Sequence, residues 1–221
     1  MLAVLCVACG SGAKDDRKSF TLELSYTIDG NIALFKAYST LTPVSSDTPN
    51  EKTFFISSGA LPPGLSIDEG TGVVSGVPTV AGTYNAQISL KVNYYDGTTT
   101  VPFHQTVRDL TLQNASASAV GVESWAVGSN FMLQTVTLYG GTEVVQSDSA
   151  HGIKVTYQLA PNSKLPDGLV LDANTGLLSG VSSVKVGVYP NIQYQAVVTY
   201  QGLSHTYTAP VMTYNVTASA S

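Results

Sequence analysis

The side chains that carry out chemistry in proteins are few in this chain of 221 residues, and they are spread along it. The three histidines, His104, His151 and His205, stand far apart, and no two of them have the spacing of paired metal ligands. The sequence also contains no G-x-S-x-G segment, the turn that exposes the nucleophilic serine of many hydrolases. We therefore expect no metal site, no cofactor and no enzyme activity.

Carboxylates are a second possible source of chemistry, because calcium prefers oxygen ligands. They are scattered along the chain, the clearest being Asp15, Asp16, Asp68, Glu69, Asp148 and Asp172. No DxNDN or DxD run brings several of them together. Aspartates that stabilise turns are the interpretation that we favour over a calcium site.

The charge pattern bears on the kind of partner. Charged residues make up only 11% of the chain, and the net charge is −5. The one cluster of basic residues, at 14–18, also contains two aspartates. Binding to a phosphate backbone needs a basic stripe, so we expect no nucleic-acid partner.

Tyrosine is abundant, with twelve residues against a single tryptophan, Trp125. Several tyrosines fall on predicted long strands, namely Tyr94, Tyr95, Tyr194, Tyr200, Tyr207 and Tyr214. Alternate members could form an exposed aromatic face that binds a glycan or a protein. We favour the simpler interpretation, in which they are strand formers half buried at the rim of a β-sandwich.

The elements that must position any site are indicated by an internal repeat. Residues 61–77 return as residues 165–181, and both copies read LPxGLxxDxxTGxxSGV. Agreement at so many fixed positions indicates duplication, so the sequence predicts two tandem domains.

Each copy of the repeat predicts a β-hairpin. In the first copy apolar and polar residues alternate over 65–68, a glycine-containing loop follows at 69–72, and valines resume at 73–74. Loop glycines favour a positive φ, and an aspartate before the loop can accept hydrogen bonds from amides two residues on. The residues that we expect to build these turns are Gly64, Asp68, Gly72 and Gly76 in the first copy and Gly168, Asp172, Gly176 and Gly180 in the second.

The repeat resembles the putative-immunoglobulin domains that occur in tandem in bacterial surface proteins and are related to dystroglycan-type cadherin-like modules. Their LPxGL, DxxTG, SGxP and AGTY segments are matched over residues 61–84, which end in Ala81-Gly82-Thr83-Tyr84. The second copy departs at Val181-Ser182 and again at Val186-Gly187-Val188-Tyr189. The resemblance implies an all-β fold of two tandem immunoglobulin-like (cadherin-like) antiparallel β-sandwiches, and it implies little about function.

Both cysteines, Cys6 and Cys9, lie in the first nine residues. An apolar run, then Cys9, Gly10 and a polar stretch, resembles the end of a bacterial lipoprotein signal, so we expect Cys9 to be the lipidated residue. Cys6 fits less well, because the bulky Leu5 precedes it. The alternative is the end of an ordinary secretory signal. Gly10, in place of the aspartate of the inner-membrane sorting rule, favours the outer membrane or cell surface, with membrane contact only through the lipid anchor.

Composition and periodicity divide the chain into three parts. We expect a signal end and flexible tether at residues 1–18, a first domain at residues 19–113 and a second domain at residues 114–221. Clean alternation predicts the first strand at residues 20–28, and no helical periodicity persists anywhere. The longest predicted strands are residues 83–95, 99–112, 189–200 and 204–217.

Three functions agree with these features. The first is a non-catalytic cell-envelope lipoprotein whose domains act as a structural, adhesive or protein-binding unit, with a protein or a cell-surface glycan as partner. The second is a subunit of an extracellular filament or surface assembly that self-associates by β-strand addition through residues 20–28. The third is a carbohydrate-binding accessory protein, suggested by the tyrosines.

Overall fold

The computed structural model describes residues 21–46, 51–92, 98–114, 122–126, 134–180 and 185–218. These residues form strands, turns and loops, and among them no helix is long and apolar enough to cross a membrane. The chain divides into two compact units, Met1–Arg108 and Asp109–Ser221, each with its own sheets and its own buried residues. The expectation of an all-β chain is confirmed.

The first unit is built from short strands around two long ones. The strands described in this unit are β1 (Leu24–Ser25), β2 (Asn31–Ala33), β3 (Tyr38–Ser39), β4 (Val44–Ser45), β5 (Lys52–Gly59), β6 (Leu65–Ile67), β7 (Val74–Gly76), β8 (Gly82–Val92) and β9 (Thr98–Arg108). One sheet has the order β2-β9-β8-β5, a second has the order β3-β7-β6, and β1 pairs with β4. All of these pairs are antiparallel except β2 with β9, which is parallel.

Alternation along the long strands explains the core of the first unit. Apolar side chains two residues apart point to the same face of a sheet, and on β8 these are Ala86, Ile88 and Leu90. The cluster that they enter contains Leu24, Phe54, Val74, Ala86, Ile88, Leu90, Val101 and Phe103. This core lies between the long strands and the hairpin β6–β7, so the hairpin is held in place by burial.

The predicted first strand differs from the observed one. We predicted a strand over residues 20–28; within the described part, residues 21–28, the strand is Leu24–Ser25, which pairs with Val44–Ser45. Leu24 is nevertheless buried, and Tyr26 and Ile28 pack against the core cluster. The alternation therefore reflects side chains that enter the core, while the backbone makes a ladder of only two residue pairs.

The division between the units falls after Arg108, whereas we expected the boundary after residue 113. The predicted strand at residues 99–112 is in fact two strands, because β9 ends at Arg108 and β10 (Leu110–Gln113) pairs with a strand of the second unit. Between them, the carboxylate of Asp109 accepts a hydrogen bond from the Leu110 N–H at 2.8 Å. The buried positions are odd-numbered up to Val107 and even-numbered from Leu110, so the phase of the alternation shifts by one residue at Asp109, and our prediction of one continuous strand missed this shift.

The second unit repeats the plan with more interruptions. Its described strands are β10, β11 (Val122–Ala126), β12 (Gln134–Thr135), β13 (Thr137–Gly140), β14 (Glu143–Val145), β15 (Lys154–Leu159), β16 (Leu169–Leu171), β17 (Leu177–Gly180), β18 (Gly187–Ile192), β19 (Tyr194–Tyr200), β20 (Leu203–Thr208) and β21 (Met212–Thr217). Their sheets have the orders β10-β13-β14, β11-β21-β18, β12-β17-β16 and β15-β19-β20.

The two long strands predicted in the second unit are each broken once. The first is divided into β18 and β19, with an irregular register between Tyr189 and Ile192 and a positive φ of 62° at Asn191. The second is divided into β20 and β21 by residues 209–211. The parallel pairing of β11 with β21 corresponds to that of β2 with β9 in the first unit.

Candidate functional site

The aspartate of the first motif closes its own loop. Asp68 Oδ1 accepts hydrogen bonds from the Gly70 N–H at 3.1 Å, the Thr71 N–H at 2.7 Å and the Thr71 hydroxyl at 2.8 Å. These bonds hold the pKa of Asp68 below its ordinary value, with the Thr71 hydroxyl as the largest cause. The Thr71 oxygen also accepts from the Val73 N–H at 3.3 Å, so the threonine links the aspartate to the second strand of the hairpin.

The second motif repeats this arrangement. Asp172 Oδ1 accepts from the Asn174 N–H at 2.9 Å, the Thr175 N–H at 2.8 Å and the Thr175 hydroxyl at 2.9 Å. The pKa of Asp172 is lowered as well, here mainly by the Thr175 N–H. The Gly176 N–H donates to the Asp172 carbonyl oxygen at 2.9 Å and completes the loop. The spacing D-x-x-T-G is therefore explained by a side-chain turn rather than by ligand binding.

The glycine that ends each loop combines a left-handed conformation with close packing. The φ angle is +75° at Gly72 and +71° at Gly176, a region that residues other than glycine rarely adopt. A Cβ atom at Gly72 would lie 2.7 Å from the ring of Phe54, and one at Gly176 would lie 3.2 Å from the ring of Tyr157 and would overlap the Val136 carbonyl oxygen. Phe54 and Tyr157 lie on β5 and β15, so in both units an aromatic ring from this strand covers the loop.

The remaining expected glycines lie where the two strands of each hairpin come into close backbone contact. Their φ angles are +92° at Gly64, +140° at Gly76, +84° at Gly168 and +138° at Gly180. A Cβ atom at Gly76 would overlap the Gly64 carbonyl oxygen, and one at Gly180 would overlap that of Gly168. The expected turn residues thus form two separate turn systems, one in each unit.

A tyrosine locks the segment that follows each hairpin. The Tyr84 hydroxyl donates to the Val80 carbonyl oxygen at 3.1 Å, and the Tyr189 hydroxyl donates to the Lys185 carbonyl oxygen at 2.9 Å. In each case the acceptor lies four residues before the tyrosine. Sequence reasoning noted both tyrosines but missed this bond, which the equal placement of tyrosine after glycine in the two copies could have suggested.

Tyr26 joins the start of the first unit to its motif. Its hydroxyl donates to the Gly72 carbonyl oxygen at 2.6 Å, and its ring packs edge to face on Phe103 with centroids 5.9 Å apart. Burial raises the pKa of Tyr26 well above its ordinary value, so the phenol stays protonated and remains a donor. This residue therefore fixes the first segment on the hairpin loop.

The strand tyrosines that the structure describes do not form the exposed aromatic face that we considered. Tyr194 and Tyr214 are fully buried, and their hydroxyls lie 2.7 Å apart. Tyr200 is also buried, whereas Tyr207 is half-buried, with its pKa raised to about 12 first by burial and then by Asp109. Tyr94 and Tyr95 lie outside the described residues.

The histidines stand at three unrelated places. On the outer face of the long sheet, His104 Nδ1 lies 2.5 Å from the side-chain oxygen of Asn85. His151 Nδ1 lies 2.7 Å from Asp148 Oδ2 in an exposed loop, and this contact is the main cause of the lowered pKa of Asp148. His205 is exposed on β20. Within the described ranges no three His, Cys, Asp or Glu side chains are placed to hold a metal ion.

The expected lipidation residue, Cys9, lies outside the described residues, as do Asp15 and Asp16. A family model described as Putative Ig domain matches residues 19–108 and 127–219. The chain belongs to the Putative Ig domain family. The two matched ranges contain the two copies of the turn motif, so the resemblance drawn from that motif is confirmed. Each matched range of this Putative Ig domain protein is an immunoglobulin-like β-sandwich.

Solved structures resemble the chain only weakly. Human protocadherin-24 EC1-2 is 14% identical with a TM-score of 0.32, covering 89% of this chain and 98% of that one. Drosophila N-cadherin EC1-3 is 13% identical with a TM-score of 0.30, covering 85% and 63%. An endo-fucoidan hydrolase from glycoside hydrolase family 107 is 16% identical with a TM-score of 0.33, and the chain spans 29% of its length. No curated protein matches the chain.

Proposed function

We propose that the chain is a non-catalytic lipoprotein of the bacterial cell envelope, and that its two immunoglobulin-like domains form a structural, adhesive or protein-binding unit. The proposal is supported by the hydrogen bonds that the side chains of the two motifs make. In both units the aspartate, threonine and tyrosine of the motif bond to their own backbone, so the repeated residues maintain the fold. A partner would then contact the outer faces and edges of the sheets.

Attachment to the envelope is supported by the position of Cys9. An apolar run precedes it, and a small, polar and charged segment, residues 10–19, followed by Phe20, separates it from Thr21, where the described structure starts. A diacyl or triacyl group on Cys9 would hold the domains at the outer membrane or cell surface. Their partner would be a protein or a cell-surface glycan.

Mass spectrometry of the protein purified from its native membranes tests the anchor. We expect an acylated chain that begins at Cys9, and we expect Cys9→Ala to abolish the acylated form. Cys6→Ala is the matched control and should leave the acyl group in place. An unacylated chain that begins near residues 10–20, or acylation of Cys6, would refute the anchor.

The partner role needs a separate experiment, because an acylated chain need not bind anything. A photo-crosslinker placed at His104, on the outer face of the long sheet, reports neighbours in intact cells. We expect a crosslinked envelope protein or glycan, while a crosslinker at the buried Phe103 serves as control and should give none. Equal labelling from both positions, or from neither, would contradict a partner on this face.

One observation favours the second candidate function, assembly by β-strand addition. Residues 21–28 place Leu24 in the core and Tyr26 and Ile28 against it, yet their ladder with β4 has only two residue pairs. A strand held by few backbone hydrogen bonds can be exchanged with the same strand of another copy at a low cost in pairing. Exchange would preserve the core and link the copies.

A crosslink within one chain separates this candidate from the first. Ser25 and Val44 are paired across β1 and β4, and both are exposed, so the variant Ser25→Cys/Val44→Cys can close a disulfide without disturbing the core. Light scattering should show polymers for the reduced variant and monomers for the oxidised one if strands are exchanged. Polymers that survive oxidation would rule out exchange of this strand.

A further inference from the structure

Two apolar side chains of the first unit point into solvent near the point where the described chain begins. Leu41 is 73% exposed and Val44 is 69% exposed, the highest values among the large hydrophobic residues of the described structure. We call these two residues the apolar tip. Between them Pro43 is buried, with its Cγ 2.8 Å from the point where a Cβ atom on Gly72 would lie.

The apolar tip is held outward by fixed contacts on both sides. Before it, the Thr40 N–H donates to the Val74 carbonyl oxygen at 2.9 Å, and the Val74 N–H donates to the Thr40 hydroxyl oxygen at 3.1 Å. Thr40 is itself buried. After it, the Ser46 N–H donates to the Glu23 carbonyl oxygen at 3.1 Å, and the backbone of Val44 itself pairs with Ser25. Because both neighbours are anchored, the exposed side chains have no route to the core of their own domain.

The start of the described chain lies beside the apolar tip. The Ser46 hydroxyl donates to the Thr21 carbonyl oxygen at 3.1 Å and accepts from the Glu23 N–H at 2.6 Å. Thr21 is therefore next to Ser46, two residues beyond Val44. The chain from Cys9 to Thr21 spans at most about 40 Å when fully extended, so a lipid anchor at Cys9 would keep this side of the domain close to the bilayer.

We propose that the apolar tip inserts into the surface of the membrane that carries the anchor, so that the first domain has a preferred orientation on the lipid. The inference rests on the proposed function, since it takes Cys9 as the anchored residue. Apolar side chains on a rigid loop gain free energy by entering the boundary between headgroups and acyl chains. Lys52 and Glu23 both lie near the tip and have opposite charges, so the attraction is apolar rather than electrostatic.

The test uses the chain from Cys9 to Ser221, coupled through its only thiol to a maleimide lipid in phosphatidylcholine vesicles. Both units remain intact in this chain, and coupling replaces native acylation. Leu41→Trp reports lipid contact through quenching by brominated acyl chains, after subtraction of the signal from Trp125. Val170→Trp is the matched control, because Val170 is 62% exposed and belongs to the second unit.

We expect brominated lipid to quench the Leu41→Trp variant several-fold more than the Val170→Trp variant. Adding Val44→Asp should reduce that quenching by about tenfold, because a carboxylate is expelled from the interface. Equal quenching of both variants, or none, would overturn the inference. Fluorescence changes that depend on protein density but not on bromination would show that a second copy covers the tip, and they too would overturn it. An unacylated Cys9 in native membranes would instead refute the anchor, so the two failures are distinguishable.

Discussion

The loop glycine of the second motif, Gly176, allows a controlled test of why the repeat has glycine at this position. Gly176 and Gly152 lie in the same unit and have nearly the same φ, +71° and +73°. Their surroundings differ. A Cβ atom at Gly152 would meet nothing within 4 Å, whereas at Gly176 it would overlap the Val136 carbonyl oxygen and stand 3.2 Å from the Tyr157 ring. Replacing each with alanine therefore separates backbone strain from crowding.

The magnitudes follow from these contacts. A left-handed conformation costs an alanine about 1–2 kcal/mol relative to glycine, and this cost applies to both variants. Crowding at Gly176 adds about 1–3 kcal/mol. The Val136 N–H donates to the Gly176 carbonyl oxygen at 2.9 Å, and loss of that bond adds about 0.5–1.5 kcal/mol. We expect Gly176→Ala to lower the free energy of unfolding by about 2.5–6.5 kcal/mol and Gly152→Ala by about 1–2 kcal/mol.

Urea unfolding with hydrogen exchange resolved by peptide measures both variants, because exchange separates the second unit from the first. Domains of this size are stable by about 5–15 kcal/mol, so Gly176→Ala should approach complete unfolding of its unit at modest urea concentration. A difference of less than about 1 kcal/mol between the two variants would refute the reasoning. It would show that the loop relaxes away from Val136 and that the glycine is required only for its φ angle.

Three further predictions concern other contacts of the two units. Folding lowers the pKa values of Asp68 and Asp172, so the stability that these carboxylates contribute is present above the ordinary carboxyl pKa and is lost as pH falls through the folded pKa. The variant Asp68→Asn/Asp172→Asn should therefore lose less Tm than the original chain when the pH falls below about 4. An unchanged dependence of Tm on acid pH would contradict this role. Tyr84→Phe removes the hydrogen bond to the Val80 carbonyl oxygen and should lower the free energy of unfolding of the first unit by about 1 kcal/mol, measured with urea. A loss of stability in the second unit instead would argue against a local role for this bond. Tyr26→Phe removes the 2.6 Å hydrogen bond to the Gly72 carbonyl oxygen and should speed hydrogen exchange over residues 21–28 about tenfold. Exchange on β8 is the internal control. Equal acceleration in both regions would indicate general destabilisation rather than release of the first segment.

Local residue chemistry made the turns predictable. An aspartate followed three residues later by threonine and then by glycine has the groups needed to close a loop on its own backbone, and the structure shows the same three hydrogen bonds in both copies. The covering rings were not predictable in this way. Phe54 and Tyr157 lie on strands distant in sequence from the glycines they cover, and no local pattern pairs them.

Tyr194, Tyr200 and Tyr214 were placed correctly on strands, but their burial was underestimated. Tyr194 and Tyr200 share a strand face with Ala196 and Val198, and Tyr214 shares one with Met212 and Val216. The structure turns this apolar face inward and buries all three rings, which we had expected to be half buried at the rim. The glycan-binding interpretation therefore loses these three of the six tyrosines that suggested it.

The sequence by itself determined the all-β class, the duplication and the conformation of both motif loops, because these depend on residues within a few positions of one another. Only the tertiary structure decided strand partners: residues 110–113 alternate like the strand before them but pair in the second unit, and Leu24 enters the core although its backbone pairs over only two residues. Such choices depend on burial and on hydrogen bonds between segments far apart in the chain. A pattern with period two is the same for every partner that a strand could take.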